Sequence, residues 1–208
     1  MDRAYLKSLA KEQIKGNVGK LFLISIVYLL IMYGANCIPM VGSIAVLVLG
    51  PALTVGYCAI YLNLAEGQLP ELRDLFDHIN NFWLAFKFSL LRGLLVFLWS
   101  LLLVVPGIIK AYAYSMTVYI IAENPGIGAR EALRMSEEMM KGHKMELFVL
   151  ELSFLGWHLL GCITFGLAYI WAGPYMNATF TNFYNSIKSA PVVIQDSNPY
   201  DEQPWENN

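Results

Sequence analysis

The chain has 208 residues, of which 57% are hydrophobic and only 14% are charged, whereas about 25% of the residues of a soluble domain are charged. A mean hydropathy of +0.49 excludes an ordinary soluble domain and indicates an integral membrane protein. With a formal net charge of −2 we expect no nucleic-acid partner, and three cysteines without a CxxC or a Cys/His cluster indicate neither a disulfide framework nor a zinc site.

The first predicted element is an amphipathic helix within residues 1–17. Its apolar residues recur near a helical period, and its other face carries Lys7, Lys11 and Lys15. We expect this helix to lie on the cytoplasmic surface of the membrane and to be attracted to anionic lipid. Gly16, followed by asparagine, is expected to end it.

Six apolar stretches are candidates for crossing a bilayer, which takes about 20 residues of helix. They predict an all-α fold, a polytopic membrane helix bundle of six transmembrane spans at 18–37, 41–64, 82–105, 108–122, 147–162 and 165–187. The polar residues 66–81 carry leucines at helical spacing and predict a second interfacial helix. Pro106 and Gly107 are expected to form a turn between the third and fourth spans.

The 108–122 stretch is short for a span, at about 15 residues against the usual 20. If it crosses, Arg130, Arg134 and Lys144 lie on the same side as the basic N-terminal helix, as the positive-inside rule requires. We therefore expect it to cross, with Lys110 reaching the outer interface. Six crossings then leave both termini in the cytoplasm.

Residues 125–141 predict a cytoplasmic amphipathic helix that is capped by Asn124 and begins at Pro125. One of its faces is apolar, and the other is charged. After the single membrane domain, 18–188, the residues 189–208 are polar, acidic and contain proline, and they predict a disordered tail.

Polar residues at membrane depth are candidates for function. The third, fifth and sixth predicted spans carry Arg92, Glu151, His158, Asn177 and Thr181. We expect these residues to form a polar core, which is either a binding site or proton pathway, or a structural clamp in which Arg92 or Lys87 pairs with Glu151. The clamp is the favoured interpretation, because an unpaired arginine near the bilayer midplane is costly.

Catalytic motifs are missing from the sequence, which has no Ser/His/Asp spacing, HExxH, P-loop or DxD-type carboxylate pair. We therefore expect no enzyme activity, no metal and no cofactor. Cys37 and Cys162 fall near the same predicted outer face, so a disulfide is the alternative to two free thiols.

Several motifs occur in an order that resembles one protein family. They include Pro106-Gly107-Ile108-Ile109-Lys110-Ala111-Tyr112, Glu131-Ala132-Leu133-Arg134-Met135-Ser136, Met139-Met140-Lys141-Gly142-His143-Lys144 and Gly173-Pro174-Tyr175. They resemble domain-of-unknown-function family 975, uncharacterised bacterial membrane proteins found mostly in Gram-positive Firmicutes. A looser similarity links the chain to the membrane-anchor domain of some glycerophosphodiester phosphodiesterases, but the chain has no phosphodiesterase domain. The resemblance implies a six-helix fold in a bacterial plasma membrane and supplies no catalytic residues.

Two functions are compatible with this sequence. The favoured one is a non-enzymatic membrane module that organises lipids or partner proteins. The alternative is a small transporter or channel for an amphiphile or ion, which uses the polar core between spans three, five and six. The expected partner is the lipid bilayer, together with a second copy of the chain or other membrane proteins.

Overall fold

The computed structural model describes residues 3–34, 41–102, 104–164 and 166–188. Within these ranges the chain is helical and forms no strand, which confirms the all-α fold class. The α-helices in chain order are α1 Arg3–Ile14, α2 Val18–Gly34, α3 Val41–Ala65, α4 Phe82–Leu102, α5 Val104–Ala113, α6 Thr117–Glu123, α7 Ala129–Met139, α8 Lys144–Leu152, α9 Leu155–Ile163 and α10 Ala168–Ile187. Two short 3₁₀ helices, Leu72–Leu75 and Asp77–Asn81, lie between α3 and α4.

Three helical segments of the described chain are long and apolar enough to cross a membrane: Val46–Ala65, Phe82–Leu101 and Val105–Glu123. Two more candidates result if α1 with α2, bent by 96°, and α8 with α9, bent by 48°, each count as one span. The described residues therefore hold three to five candidate spans. The predicted sixth span, α10, is not among them, because polar side chains fill its second half: Asn177, Thr179, Thr181, Asn182, Asn185 and Ser186.

Large apolar side chains cover much of the outside of the bundle. Phe97 and Leu101 on α4 are 63% and 74% exposed, and Ile163 at the end of α9 is 75% exposed. Burial of such side chains is the rule in soluble proteins, and a continuous exposed apolar surface marks contact with a partner or a membrane. This distribution indicates a membrane protein.

The predicted N-terminal helix is present as α1, and Gly16, with a φ of +95°, turns the chain into α2. Leu6 and Ala10 are 3% and 0% exposed, because α1 packs against α10. Gln13 and Asn182 join the two helices by exchanging amide hydrogen bonds of 3.0 and 2.9 Å. α1 is therefore part of the packed protein and does not rest on lipid alone.

Residues 66–81 do not form the single amphipathic helix that their leucine spacing predicted. Gly67 adopts a φ of +85°, and two 3₁₀ helices follow it. Leu75 is fully buried whereas Leu69 is 64% exposed, so the leucines do not share one face. A Cβ added at Gly56 of α3 would lie 2.3 Å from the Leu75 carbonyl oxygen, which shows how closely this segment packs on the bundle.

The predicted turn at Pro106 and Gly107 is wrong, because both residues lie inside α5. Pro106 is in the first turn of that helix, where its missing N–H leaves no hydrogen bond unmade. Gly107 faces Ser100 of α4, and an added Cβ would lie 2.0 Å from the Ser100 Oγ. Together α5 and α6 form the 19-residue candidate span Val105–Glu123, which is longer than the predicted stretch.

The predicted fifth span is not one straight helix but the bent pair α8 and α9. Phe154, between them, is 1% exposed. Its ring packs edge-on against Tyr175 and Phe180 of α10, with centroid distances of 5.6 and 5.8 Å. The buried aromatic ring therefore anchors the bend against α10.

The helix predicted at 125–141 begins only at Ala129. Asn124 instead ends α6, where its side-chain amide donates to the Ile120 carbonyl at 3.1 Å. The apolar face of α7 is buried as its periodicity predicted, through Ala132, Leu133 and Ser136.

Three predictions fall on residues outside the described ranges. They are the end of the first span at 35–37, the disordered tail at 189–208, and the pairing of Cys37 with Cys162. Cys162 is exposed, and Cys58 is buried.

Candidate functional site

The five polar residues predicted to form one core lie on helices with different neighbours. α4, which carries Arg92, packs mainly on α3, α5 and α7. α8, which carries Glu151, packs on α5, whereas α9, which carries His158, packs on α10. No hydrogen bond or ion pair joins any two of the five in the described chain. Within the described ranges the five residues therefore make no direct polar contact with one another.

Glu151 accepts a hydrogen bond from the hydroxyl of Tyr112 on α5. Arg92 has no ion pair or hydrogen bond with a described residue, and the Lys87 ammonium lies 5.1 Å from the Trp83 ring centre. The described residues thus contain no clamp between Glu151 and either basic side chain. The sequence analysis did not identify Tyr112 as the partner of Glu151, because it searched for charged partners and tyrosine is neutral.

The other three residues of the predicted polar core, His158, Asn177 and Thr181, are hydrogen-bonded to nearby groups or buried. The His158 Nδ1 and the Tyr169 hydroxyl lie 2.9 Å apart, which joins α9 to α10. Asn177 donates to a carbonyl one turn back in its own helix at 2.8 Å. Thr181 is 1% exposed beside Tyr119, and its hydroxyl oxygen has no hydrogen bond of ordinary geometry within the described ranges.

An ion pair links α5 and α7, since the Lys110 Nζ lies 2.5 Å from a Glu137 carboxylate oxygen. One residue earlier on α7, the Ser136 hydroxyl donates to the Ala113 carbonyl at 2.8 Å. α7 therefore runs back along α5 and α6. Lys110 at the outer interface and α7 in the cytoplasm, both expected from the sequence, are incompatible with this contact.

A second polar contact that the sequence did not predict joins the ends of α6 and α10. The Glu123 carboxylate accepts from the Tyr184 hydroxyl at 2.8 Å and pairs with the Lys188 ammonium at 2.6 Å. The Tyr184 ring stacks on Tyr119 with centroids 5.1 Å apart. The contact fastens the C-terminal end of α10 to the bundle.

An open groove between α1 and the joint of α8 and α9 is lined by Lys7 and Lys11 of α1 and by Lys15, which follows α1 directly. Its volume is about 540 Å³. One wall carries the three predicted interfacial lysines and the other is aromatic; the lining residues are Lys7, Lys11, Lys15, Ile14, Val18, Phe154, Trp157 and Tyr175. None of these residues is acidic, so the groove carries an excess of positive charge next to an apolar surface.

Lys7 is held against the far wall of this groove. Its ammonium donates to the Ser153 carbonyl at 3.4 Å and lies 4.2 Å from the Phe154 ring centre, which is a cation–π distance. Burial lowers the pKa of Lys7, and the positive charges of Arg3 and Lys11 lower it further. Because Ser153 ends α8, the cation also interacts favourably with the C-terminal end of that helix.

The remaining predicted interfacial basic residues lie elsewhere. Arg130 and Arg134 are exposed on α7, and Lys144 is half-buried at the start of α8. None of them lines the groove. They therefore provide comparison residues of the same charge that lie outside the groove.

Comparison with known proteins gives one match. A family model described as "Protein of unknown function (DUF975)" matches residues 1–112 and 101–191. A search of curated proteins gave no match, and a search of solved structures gave none either. The two matched segments include the groove and all the α-helices of the described residues, and the chain therefore belongs to the DUF975 family.

Proposed function

We propose that the protein is a non-enzymatic module of the bacterial plasma membrane that organises anionic lipid, or partner proteins through that lipid, around α1. The supporting observation is the groove in which Lys7, Lys11 and Lys15 face an aromatic wall. Basic residues near a membrane surface attract anionic lipid by about 1 kcal/mol each. The family resemblance implies a Gram-positive bacterium as the host.

In this proposal α10 completes a sixth crossing, and both termini are cytoplasmic. The first half of α10 supports a lipid contact, since Leu167 before it and Trp171 within it are 65% and 69% exposed. Its second half holds α1 through Gln13 and Asn182. α1 and the end of α10 are therefore on one side of the bilayer, which an even number of crossings provides.

α7 lies on the cytoplasmic side in the same proposal. Its exposed Arg130 and Arg134 are unsuited to contact with acyl chains, because charged groups in hydrocarbon are costly. Because Glu137 of α7 pairs with Lys110, this proposal gives up the expectation that Lys110 reaches the outer interface.

A small transporter or channel for an amphiphile or ion is the second candidate. Its support is a proline inside α3 and another inside α10, since broken helices form the binding sites of many transporters. Against it, Glu151 and His158 are bonded to Tyr112 and Tyr169 at separate places. We therefore favour the lipid-organising module.

Lipid analysis of excised membrane patches tests the proposal. The protein is reconstituted in vesicles of phosphatidylglycerol and phosphatidylcholine, polymer-bounded discs are cut out, and their lipids are measured by mass spectrometry. We expect enrichment of phosphatidylglycerol around the protein. Discs with the bulk composition would contradict the proposal, and solute flux through the same vesicles would favour the transporter.

Two charge-matched variants locate the effect. K11Q/K15Q removes two exposed charges from α1, whereas R130Q/R134Q removes two exposed charges from α7. We expect the first to reduce the enrichment and the second to leave it nearly unchanged. The opposite order would transfer the lipid-organising role from α1 to α7.

A further inference from the structure

We propose that the groove between α1 and the joint of α8 and α9 binds one anionic phospholipid, a proposal that rests on the proposed function. The lipid phosphate lies against the ammonium groups of Lys7, Lys11 and Lys15. An acyl chain leaves the groove along Val18 and Trp157.

The charge of the groove has no counterpart within the described protein. Lys11 and Lys15 are exposed and form no ion pair with a described carboxylate, while Lys7 is held by a carbonyl and an aromatic ring. Lys7 and Lys11 are one turn apart on α1, and Lys15 follows directly after the helix, where its N–H still donates to the Lys11 carbonyl at 3.1 Å. The three lysines therefore lie along one face. The Lys11 and Lys15 ammonium groups, and the N–H donors of Lys7 that the Ser153 carbonyl does not use, are available to phosphate oxygens, which accept strong charge-assisted hydrogen bonds.

The opposite wall selects an amphiphile over a free phosphate ion. Trp157 and Val18 are 39% and 46% exposed, and a phosphate ion has no apolar part that would cover them. An acyl chain does, and burial of apolar surface is favourable. The volume of about 540 Å³ is within the roughly 300–1,000 Å³ of small-molecule sites. Tryptophan is also the residue type enriched where lipid headgroups begin.

α1 presents its lysines from a fixed position. Leu6 and Ala10 are buried, and the amides of Gln13 and Asn182 hold the helix to α10. A disordered basic segment has to be ordered on binding, whereas a docked helix loses little conformational entropy. We therefore expect a defined number of bound lipids and saturable binding, and not a loosely associated layer of lipid without fixed stoichiometry.

Native mass spectrometry of the delipidated full-length protein in detergent tests the site. The probes are dioctanoyl phosphatidylglycerol, which is anionic, and dioctanoyl phosphatidylcholine, which is zwitterionic. We expect one saturable phosphatidylglycerol, bound about tenfold or more tightly than phosphatidylcholine, since each basic residue contributes to anionic-lipid binding. K11Q/K15Q should lose this preference, and K11R/K15R should retain it. W157A should weaken the binding of both lipids by a similar factor.

R130Q/R134Q is the matched control and should bind as the wild type does. Equal affinity for the two lipids would overturn the assignment, as would loss of phosphatidylglycerol binding in the α7 variant. Displacement of the lipid by equimolar inorganic phosphate would identify an ion site instead. Enrichment in excised discs without a saturable single lipid would overturn this site and leave the proposed function intact. Circular dichroism and gel filtration verify that each variant is folded.

Discussion

The Tyr112 hydroxyl donates a hydrogen bond to the Glu151 carboxylate and thereby joins α5 to α8. A double-mutant cycle of Tyr112→Phe and Glu151→Gln should give a coupling free energy between about 0.5 and 3 kcal/mol, as residues in contact do. The measurement is the free energy of unfolding in detergent.

Arg92→Met with Glu151→Gln is the companion cycle. Because Arg92 has no described hydrogen bond or ion pair, these two changes should add within about 0.5 kcal/mol. A coupling as large as that with Tyr112 would restore the clamp that the sequence suggested.

Asn182→Ala should release α1 from the bundle. The change leaves the Gln13 amide without its partner at a site where Asn182 is 4% exposed, which costs about 1–3 kcal/mol. Limited trypsin digestion should then cut α1 faster at its lysines. Asn177→Ala on the same helix is the control, because Asn177 bonds only to its own helix; equal cleavage in both variants would refute the docking role.

Cysteines at positions 110 and 137 should be joined by a short bismaleimide cross-linker when the native cysteines are replaced by alanine. The pair replaces Lys110 and Glu137, whose long side chains meet with their charged atoms 2.5 Å apart, so a linker that replaces the lost side-chain length should connect the two thiols. The control pair is Lys110→Cys with Arg130→Cys, which lies two helical turns, about 10 Å, back along α7. Peptide mass spectrometry identifies the cross-linked peptides, and a cross-link in the control pair alone would mean that α7 runs in another direction.

Gly56→Ala and Gly107→Ala should destabilise the protein by about 1–3 kcal/mol each through overpacking. The added methyl groups would lie 2.3 Å from the Leu75 carbonyl and 2.0 Å from the Ser100 Oγ. Gly93→Ala on α4 meets nothing within 4 Å and should be neutral or stabilising by up to about 1 kcal/mol. In thermal melting in detergent, Gly56→Ala and Gly107→Ala should lower the melting temperature, whereas Gly93→Ala should not. Equal changes in melting temperature for all three variants would contradict the close packing at Gly56 and Gly107.

Helical periodicity identified the elements whose faces differ in polarity. Ala132 and Leu133 on α7 are buried as their spacing predicted. Leu6 and Ala10 on α1 are also buried, but by packing against α10 and not, as expected, by lipid. Turns predicted from single prolines and glycines were less reliable, because proline occurs both in turns and in the first turn of helices. Pro106 lies in the first turn of α5 instead of making a turn between helices, and which of the two occurs depends on how α4 and α5 pack.

Of the groove between α1 and the joint of α8 and α9, the sequence predicted only the wall that carries the lysines. The spacing of the lysines on α1 indicated a basic face, but Lys7 and Ser153 are 146 residues apart in sequence. No local pattern links α1 to the bend at Phe154, because that bend depends on aromatic packing against α10. The groove is therefore formed by tertiary packing. Local sequence patterns predict its lysine side but not its aromatic side.

The turn at Gly16 determines how the positive charges next to it are arranged relative to the axis of α2. On a helix that continued the axis of α2, Lys7 and Lys15 would be separated by about 12 Å along that axis. Since α1 meets α2 at 96°, the three lysines lie at nearly the same height along the axis of α2. A residue that could not adopt the φ of +95° at Gly16 would change the angle between the two helices and spread these charges along that axis.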